Sequence, residues 1–156
     1  MTTLKVTASP PKPLSYGAMK SKPFLTLENV RTAAAAAEAE ASNNGWAVTI
    51  AITDDGGHLL WLQRLDGAAP ISAEIAVAKA RTSALGRRET KGYEDMINQG
   101  RTAFLSVPVL QGMLEGGVPI MAEGHCVGAV GVSGVKSAED AQIARAGVAA
   151  LGAVGA

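Results

Sequence analysis

From Thr26 onward the chain switches repeatedly between two hydrophobic periods. Leu27, Val30, Ala34, Ala37 and Ala41 recur at alternating spacings of 3 and 4, which puts them on one face of a helix. Thr26 is the expected N-cap, the Ala33–Ala37 run has the highest helix propensity, and Asn43-Asn44-Gly45 supplies left-handed chemistry to stop it. The period then drops to two. Trp46, Val48, Ile50 and Ile52 face one way and Ala47, Thr49, Ala51 and Thr53 the other, as on a strand. Asp54-Asp55-Gly56-Gly57 predicts a turn, and residues 58–65 return as a second strand, making a β-hairpin.

A second helix is predicted from about Ser72 to Leu85, with Ile75, Ala76, Lys79, Ala80 and Ser83 on one side and Gly86 at its end. Residues 91–100 read as a short helix, 103–110 as irregular around Pro108, and 112–117 as too glycine-rich to be regular. A second hairpin follows, 118–122 and 125–133, turning at Glu123-Gly124. Ser137 is the expected cap of a last helix, with Asp140 reaching back and Ile143, Ala144, Gly147, Val148 and Leu151 inward. Strands that arrive as hairpins imply an α+β arrangement, an antiparallel sheet with helices packed on it. Residues 1–24, with Pro10, Pro11, Pro13 and Pro23 and no periodicity, read as an extended arm, and 25–156 as one domain.

Composition narrows the function. Lys plus Arg equals Asp plus Glu at 14 each, so the positive field that drives nucleic-acid binding is missing. No apolar stretch of the arm is long enough for a membrane span. Cys126 is the single cysteine, so no internal disulfide can form and the expected compartment is the cytoplasm. Absence of net charge also permits self-assembly.

Three motifs carry candidate chemistry. Gly128–Gly134 has the glycines of a phosphate loop but no Gly-Lys-Ser/Thr, and those glycines fall inside a strand pattern. That favours close approach of a backbone or ligand at Gly131 and Ser133. His125 and Cys126 are neighbours on a strand, so they point to opposite faces and cannot close on one metal ion; no metal site is expected. His125 alone is a candidate axial ligand. Arg64 and Asp66 lie where a strand gives way to a loop, and Lys79 lies on the apolar side of the next helix, where it must snorkel or meet a charged partner. The expected pocket joins Arg64, Asp66 and Lys79 to the Gly116-Gly117 loop and the Gly131–Ser133 strand end. A structural ion pair fixing loop to helix is the competing reading.

Taken together the segments resemble the GlcG/HbpS family, which includes the C-terminal domains of PduO-type proteins. The matching pieces are Asp54-Asp55-Gly56, Arg64-Leu65-Asp66-Gly67-Ala68, Ser72, Lys79-Ala80-Arg81-Thr82, Gly116-Gly117-Val118-Pro119-Ile120, Gly124, Gly128–Gly134, and Asp140 with Ala144. The resemblance implies a profilin-like fold with a five-stranded antiparallel sheet flanked by helices, assembly from dimer to octamer, and binding of haem or another small ligand. On that reading Arg64 and Lys79 contact carboxylates or propionates. The alternative is a small catabolic enzyme acting on an unsaturated or aromatic-derived acid, with Lys79 or Asp66 as acid/base, Arg64 as carboxylate clamp and the Gly116-Gly117 amides facing an oxyanion.

Overall fold

A computed structural model of the chain describes residues 19–152 together with Pro13, Ser15 and Gly17. Most of the expected N-terminal arm lies outside the described residues. In chain order the elements are α1 (Leu27–Asn43), β1 (Thr49–Asp54), β2 (Leu59–Arg64), α2 (Ile71–Gly86), α3 (Lys91–Asn98), a 3-10 helix (Thr102–Ser106), β3 (Gly117–Ala122), β4 (His125–Ser133) and α4 (Ser137–Ala149). The strands form one antiparallel sheet in the order β2-β1-β4-β3. The five strands implied by family resemblance are thus four among the described residues. The two hairpins supply all of them. The stretch between α3 and β3, where Pro108 cannot donate to a ladder, coils into the 3-10 helix and turns instead.

The alternation along β1 sorts the layers. Ile50 and Ile52 point with Val130 and Val132 of β4 into a core closed by α1 and α4, where Val30, Ala33, Ala37, Ile143 and Ala144 are buried. Ala51 points the other way, onto Ala76 and Ala80 of α2. Both faces of the central strands are therefore covered, which their near-continuous apolar runs require. The small residues set the spacing. A Cβ on Gly131 would lie 2.2 Å from the Ala76 carbonyl oxygen and 2.4 Å from the Ala80 nitrogen, so α2 rests directly on the backbone of β4.

The helix ends differ in part from expectation. Thr26 caps α1 as predicted: the Asn29 amide donates to Thr26 Oγ1 at 3.3 Å, and the Thr26 amide donates back to Asn29 Oδ1 at 3.0 Å. α2 ends at Gly86 as predicted, and the left-handed residue that follows is Arg87, φ 54°. Gly86 is needed for a different reason: a Cβ there would sit 2.2 Å from the Tyr93 hydroxyl. At α4 the cap position is Lys136 rather than Ser137, with the Lys136 amide donating to the Glu139 carboxylate at 3.1 Å. Asp140, one turn into the helix, faces inward and is buried. No helix among the described residues is long and apolar enough to cross a membrane.

Candidate functional site

The two ends of the sheet carry different chemistry. At the end where β3 begins and β4 finishes, Lys79 of α2 is enclosed. Its Nζ donates to Asp140 Oδ2 at 2.9 Å and to the Val132 carbonyl at 3.0 Å, and both side chains of the pair are 3% exposed. Asp140 Oδ1 accepts the Val135 amide at 3.2 Å. Burial pushes the Asp140 carboxyl above its ordinary value, and the Lys79 ammonium and the Val135 amide pull it back. The charged partner that Lys79 needed is therefore Asp140, on the last helix, and the pair ties α2 to α4 through the end of β4.

A glycine-rich strap seals this pair. The Gly112 amide donates to Thr82 Oγ1 at 3.2 Å and the Gly117 amide to Thr90 Oγ1 at 2.8 Å. Gly116 has φ +127°, and a Cβ on it would fall 2.7 Å from Lys79 Nζ and 2.9 Å from the Val132 oxygen. Only glycine lets the chain pass there. Of the residues singled out in the sequence, Lys79, Gly116, Gly117 and Gly131 are thus brought together against α2.

Arg64 and Ser133 share a row with Thr49 across β2, β1 and β4. Arg64 is exposed and Ser133 is buried, with Thr49 Oγ1 bonded to Ser72 Oγ at 2.7 Å beside it. Asp66 is exposed on the following loop and helps wall a shallow depression of about 250 Å3 with Trp46 and Leu65. Thr90 is not singled out by the sequence, and Thr82 and Asp140 stand there as positions that match the family pattern, with no partner assigned across the fold. Asp140 was read as a helix cap, and nothing in local periodicity announces a partner 61 residues away.

The opposite end of the sheet holds an open cleft of about 410 Å3 between the entry to α1 and the β3–β4 hairpin. Phe24, Leu25, Ile120, Met121, Val127 and Leu151 give it apolar walls, and Asn29 and Glu123 add polar groups. The volume falls within the range of small-molecule sites, roughly 300–1,000 Å3. Ala122, on the cleft wall, is paired with His125 across the hairpin, so the two side chains share a face of the sheet. His125 is exposed and Cys126 buried, the opposed orientations a strand imposes. His125 Nδ1 lies 3.0 Å from the Glu123 carbonyl oxygen. A carbonyl can only accept, so Nδ1 is the donor in this contact, and in the neutral ring that leaves the lone pair on Nε2.

A family model described as haem degrading protein HbpS-like matches residues 25–149. Protein GlcG of Escherichia coli (strain K12) is 56% identical over 113 residues, which cover 72% of this chain and 84% of that protein. A crystal structure of a double mutant of Streptomyces reticuli HbpS is similar with a TM-score of 0.79 and 34% identity, over 91% of this chain and 97% of that one. A crystal structure of a PduOC–heme complex is similar with a TM-score of 0.75 and 26% identity, over 82% and 95%.

Proposed function

The chain belongs to the HbpS-like family, and from that premise we propose that it is a small-ligand-binding protein that takes haem, or a planar apolar anion like it, in the cleft beside His125. The observation that carries the reading is the histidine. Its Nδ1–H is held by a backbone carbonyl, the arrangement that fixes the tautomer and orientation of a metal-binding imidazole. Its partner across the β3–β4 hairpin, Ala122, lines a cleft that also has Phe24, Leu25, Ile120, Met121, Val127 and Leu151 in its walls. His125 would be the residue to hold haem, whose iron would take an imidazole nitrogen as a ligand. Phe24, Leu25, Ile120, Met121 and Leu151 offer the apolar contact a porphyrin needs. Glu123 on the same wall repels carboxylates, so the ligand's charged groups belong at the mouth. The family description, haem degrading protein, and the similarity to a PduOC–heme complex support the same ligand class.

The test is a hemin titration of the full chain followed in the Soret region. Saturable binding at one hemin per chain is expected, with His125→Ala weakening it at least tenfold and moving the Soret maximum. Absence of any Soret change at tens of micromolar hemin would overturn the ligand assignment. A His125→Ala spectrum and affinity equal to wild type would overturn the role of the histidine.

A further inference from the structure

Pro23, Phe24 and Leu25 carry the chain into α1 along one wall of the cleft. Residues 20–25 belong to no helix or strand, and among the described residues no backbone hydrogen bond fixes them. A segment without such bonds opens easily unless its side chains hold it. Two side chains do, one before Phe24 and one after it. Leu25 packs on the main core and lies against the backbone of β4, since a Cβ on Gly128 would fall 2.5 Å from Leu25 Cδ1. The first glycine of the Gly128–Gly134 motif thus makes room for this segment. Lys22 forms an ion pair with Asp55 in the β1–β2 turn. That turn is itself fixed by the Asp54 carboxylate, which accepts the Gly56 and His58 amides, each at 2.9 Å.

Between the two anchors Phe24 is 75% exposed, the most exposed of the apolar residues that line the cleft. It has no aromatic partner among the described residues. Its ring is therefore the part of the wall with most apolar surface left for a ligand to cover. We infer that residues 22–25 form a strap that holds the Phe24 ring against the ligand, with Lys22 and Asp55 as the positioning residues that pin it. Neither of these two lines the cleft. The inference rests on the ligand reading above and deepens it: the strap supplies one face of the site for a planar apolar anion. The pin is a half-exposed ion pair, so it adds up to about fivefold in affinity and is lost in salt.

The experiment titrates the full chain with hemin at low salt and at about 0.5 M salt. Lys22→Asp and Asp55→Lys should each weaken binding about twofold to fivefold at low salt, and the two together should restore it. In high salt the differences should vanish. Asp55→Lys decides between pinning and simple attraction: it adds positive charge, so an electrostatic pull on the anion would make it bind more tightly. Phe24→Ala should weaken binding at least fivefold at either salt concentration. A second readout needs no ligand. Chymotrypsin should cut after Phe24 faster in each single variant than in wild type, and at the wild-type rate in the swap. Asp55→Lys binding as tightly as wild type or tighter overturns the inference. So does a swap no better than the single variants, or a Phe24→Ala variant with wild-type affinity. Cleavage after Phe24 at the wild-type rate in both single variants overturns the pin. A wild type that takes up no hemin removes the ligand reading and the role of Phe24 with it, and the cleavage rates still decide whether the strap is pinned.

Discussion

Replacing Lys79 by Met keeps the length of the side chain and deletes its charge. In the native fold the ammonium serves two acceptors, Asp140 Oδ2 at 2.9 Å and the Val132 carbonyl at 3.0 Å, in a site where both members of the ion pair are 3% exposed. Without it Asp140 retains one donor, the Val135 amide. Breaking a buried pair by removing one partner costs about 3–5 kcal/mol, because the remaining charge is left in a poor solvent. For a chain of this size each kcal/mol lowers the melting temperature by about 2–4 °C, so a drop of roughly 6–20 °C is expected by calorimetry or circular dichroism near pH 7. Adding Asp140→Asn removes the stranded charge while keeping an acceptor for Val135, and the double variant should melt above Lys79→Met. The pH dependence has a definite sign. An unpaired buried carboxyl is pushed further up from its ordinary value, so the folded variant holds a proton that the unfolded chain has lost. Lys79→Met should therefore regain stability as the pH is lowered from 7 towards 5. The reasoning fails if Lys79→Met melts within about 2 °C of wild type, or if the double variant is as damaged as the sum of the singles. Loss of ligand binding at an unchanged melting temperature would show that Lys79 acts on a ligand rather than on the fold.

Gly131→Ala should cost at least 1–3 kcal/mol, since its Cβ would meet the Ala76 oxygen at 2.2 Å and either α2 or β4 must move. Gly92→Ala in α3 meets nothing closer than 3.8 Å and should stabilise by about 0.4–1 kcal/mol; equal melting temperatures would refute the close-approach argument. Burial alone would raise the Asp54 carboxyl, but the His58 amide and ring and the Gly56 amide more than offset it, leaving its pKa below the ordinary value. Its contribution is thus present at neutral pH and lost as the pH falls through that lowered pKa, below roughly pH 4. The protection factors of the Gly56 and His58 amides, measured against intrinsic exchange at the same pH, should fall there in wild type and already at neutral pH in Asp54→Ala.

Periodicity revealed most of the fold. Period two in β1 and β4 and the 3–4 spacing in α1 and α2 are direct consequences of where side chains point, and they recovered both hairpins and every helix that packs on the sheet. Two kinds of feature escaped. A cap depends on which of several neighbouring polar residues wins a few hydrogen bonds, so Ser137 was preferred to Lys136 and the inward turn of Asp140 was missed. Long-range partners leave no local trace: Lys79 reads as a charge on an apolar face, but not as the partner of Asp140. The strand glycine at 131 did mark close approach of a backbone, that of α2, whereas the reading of 112–117 as merely irregular missed that Gly112 and Gly117 also lie against the α2 backbone. The cleft beside His125 was invisible because its walls come from separated segments, the 23–25 stretch, β3, β4 and the end of α4.

The central claim is that the ligand enters that cleft, and amide shift mapping with a diamagnetic gallium protoporphyrin tests it most directly. The account predicts that perturbations concentrate at Leu25, Met121, Ala122, His125 and Val127. Perturbations centred instead on Arg64, Gly116, Gly117 and Gly131 would contradict it and return the site to the Lys79 end of the sheet.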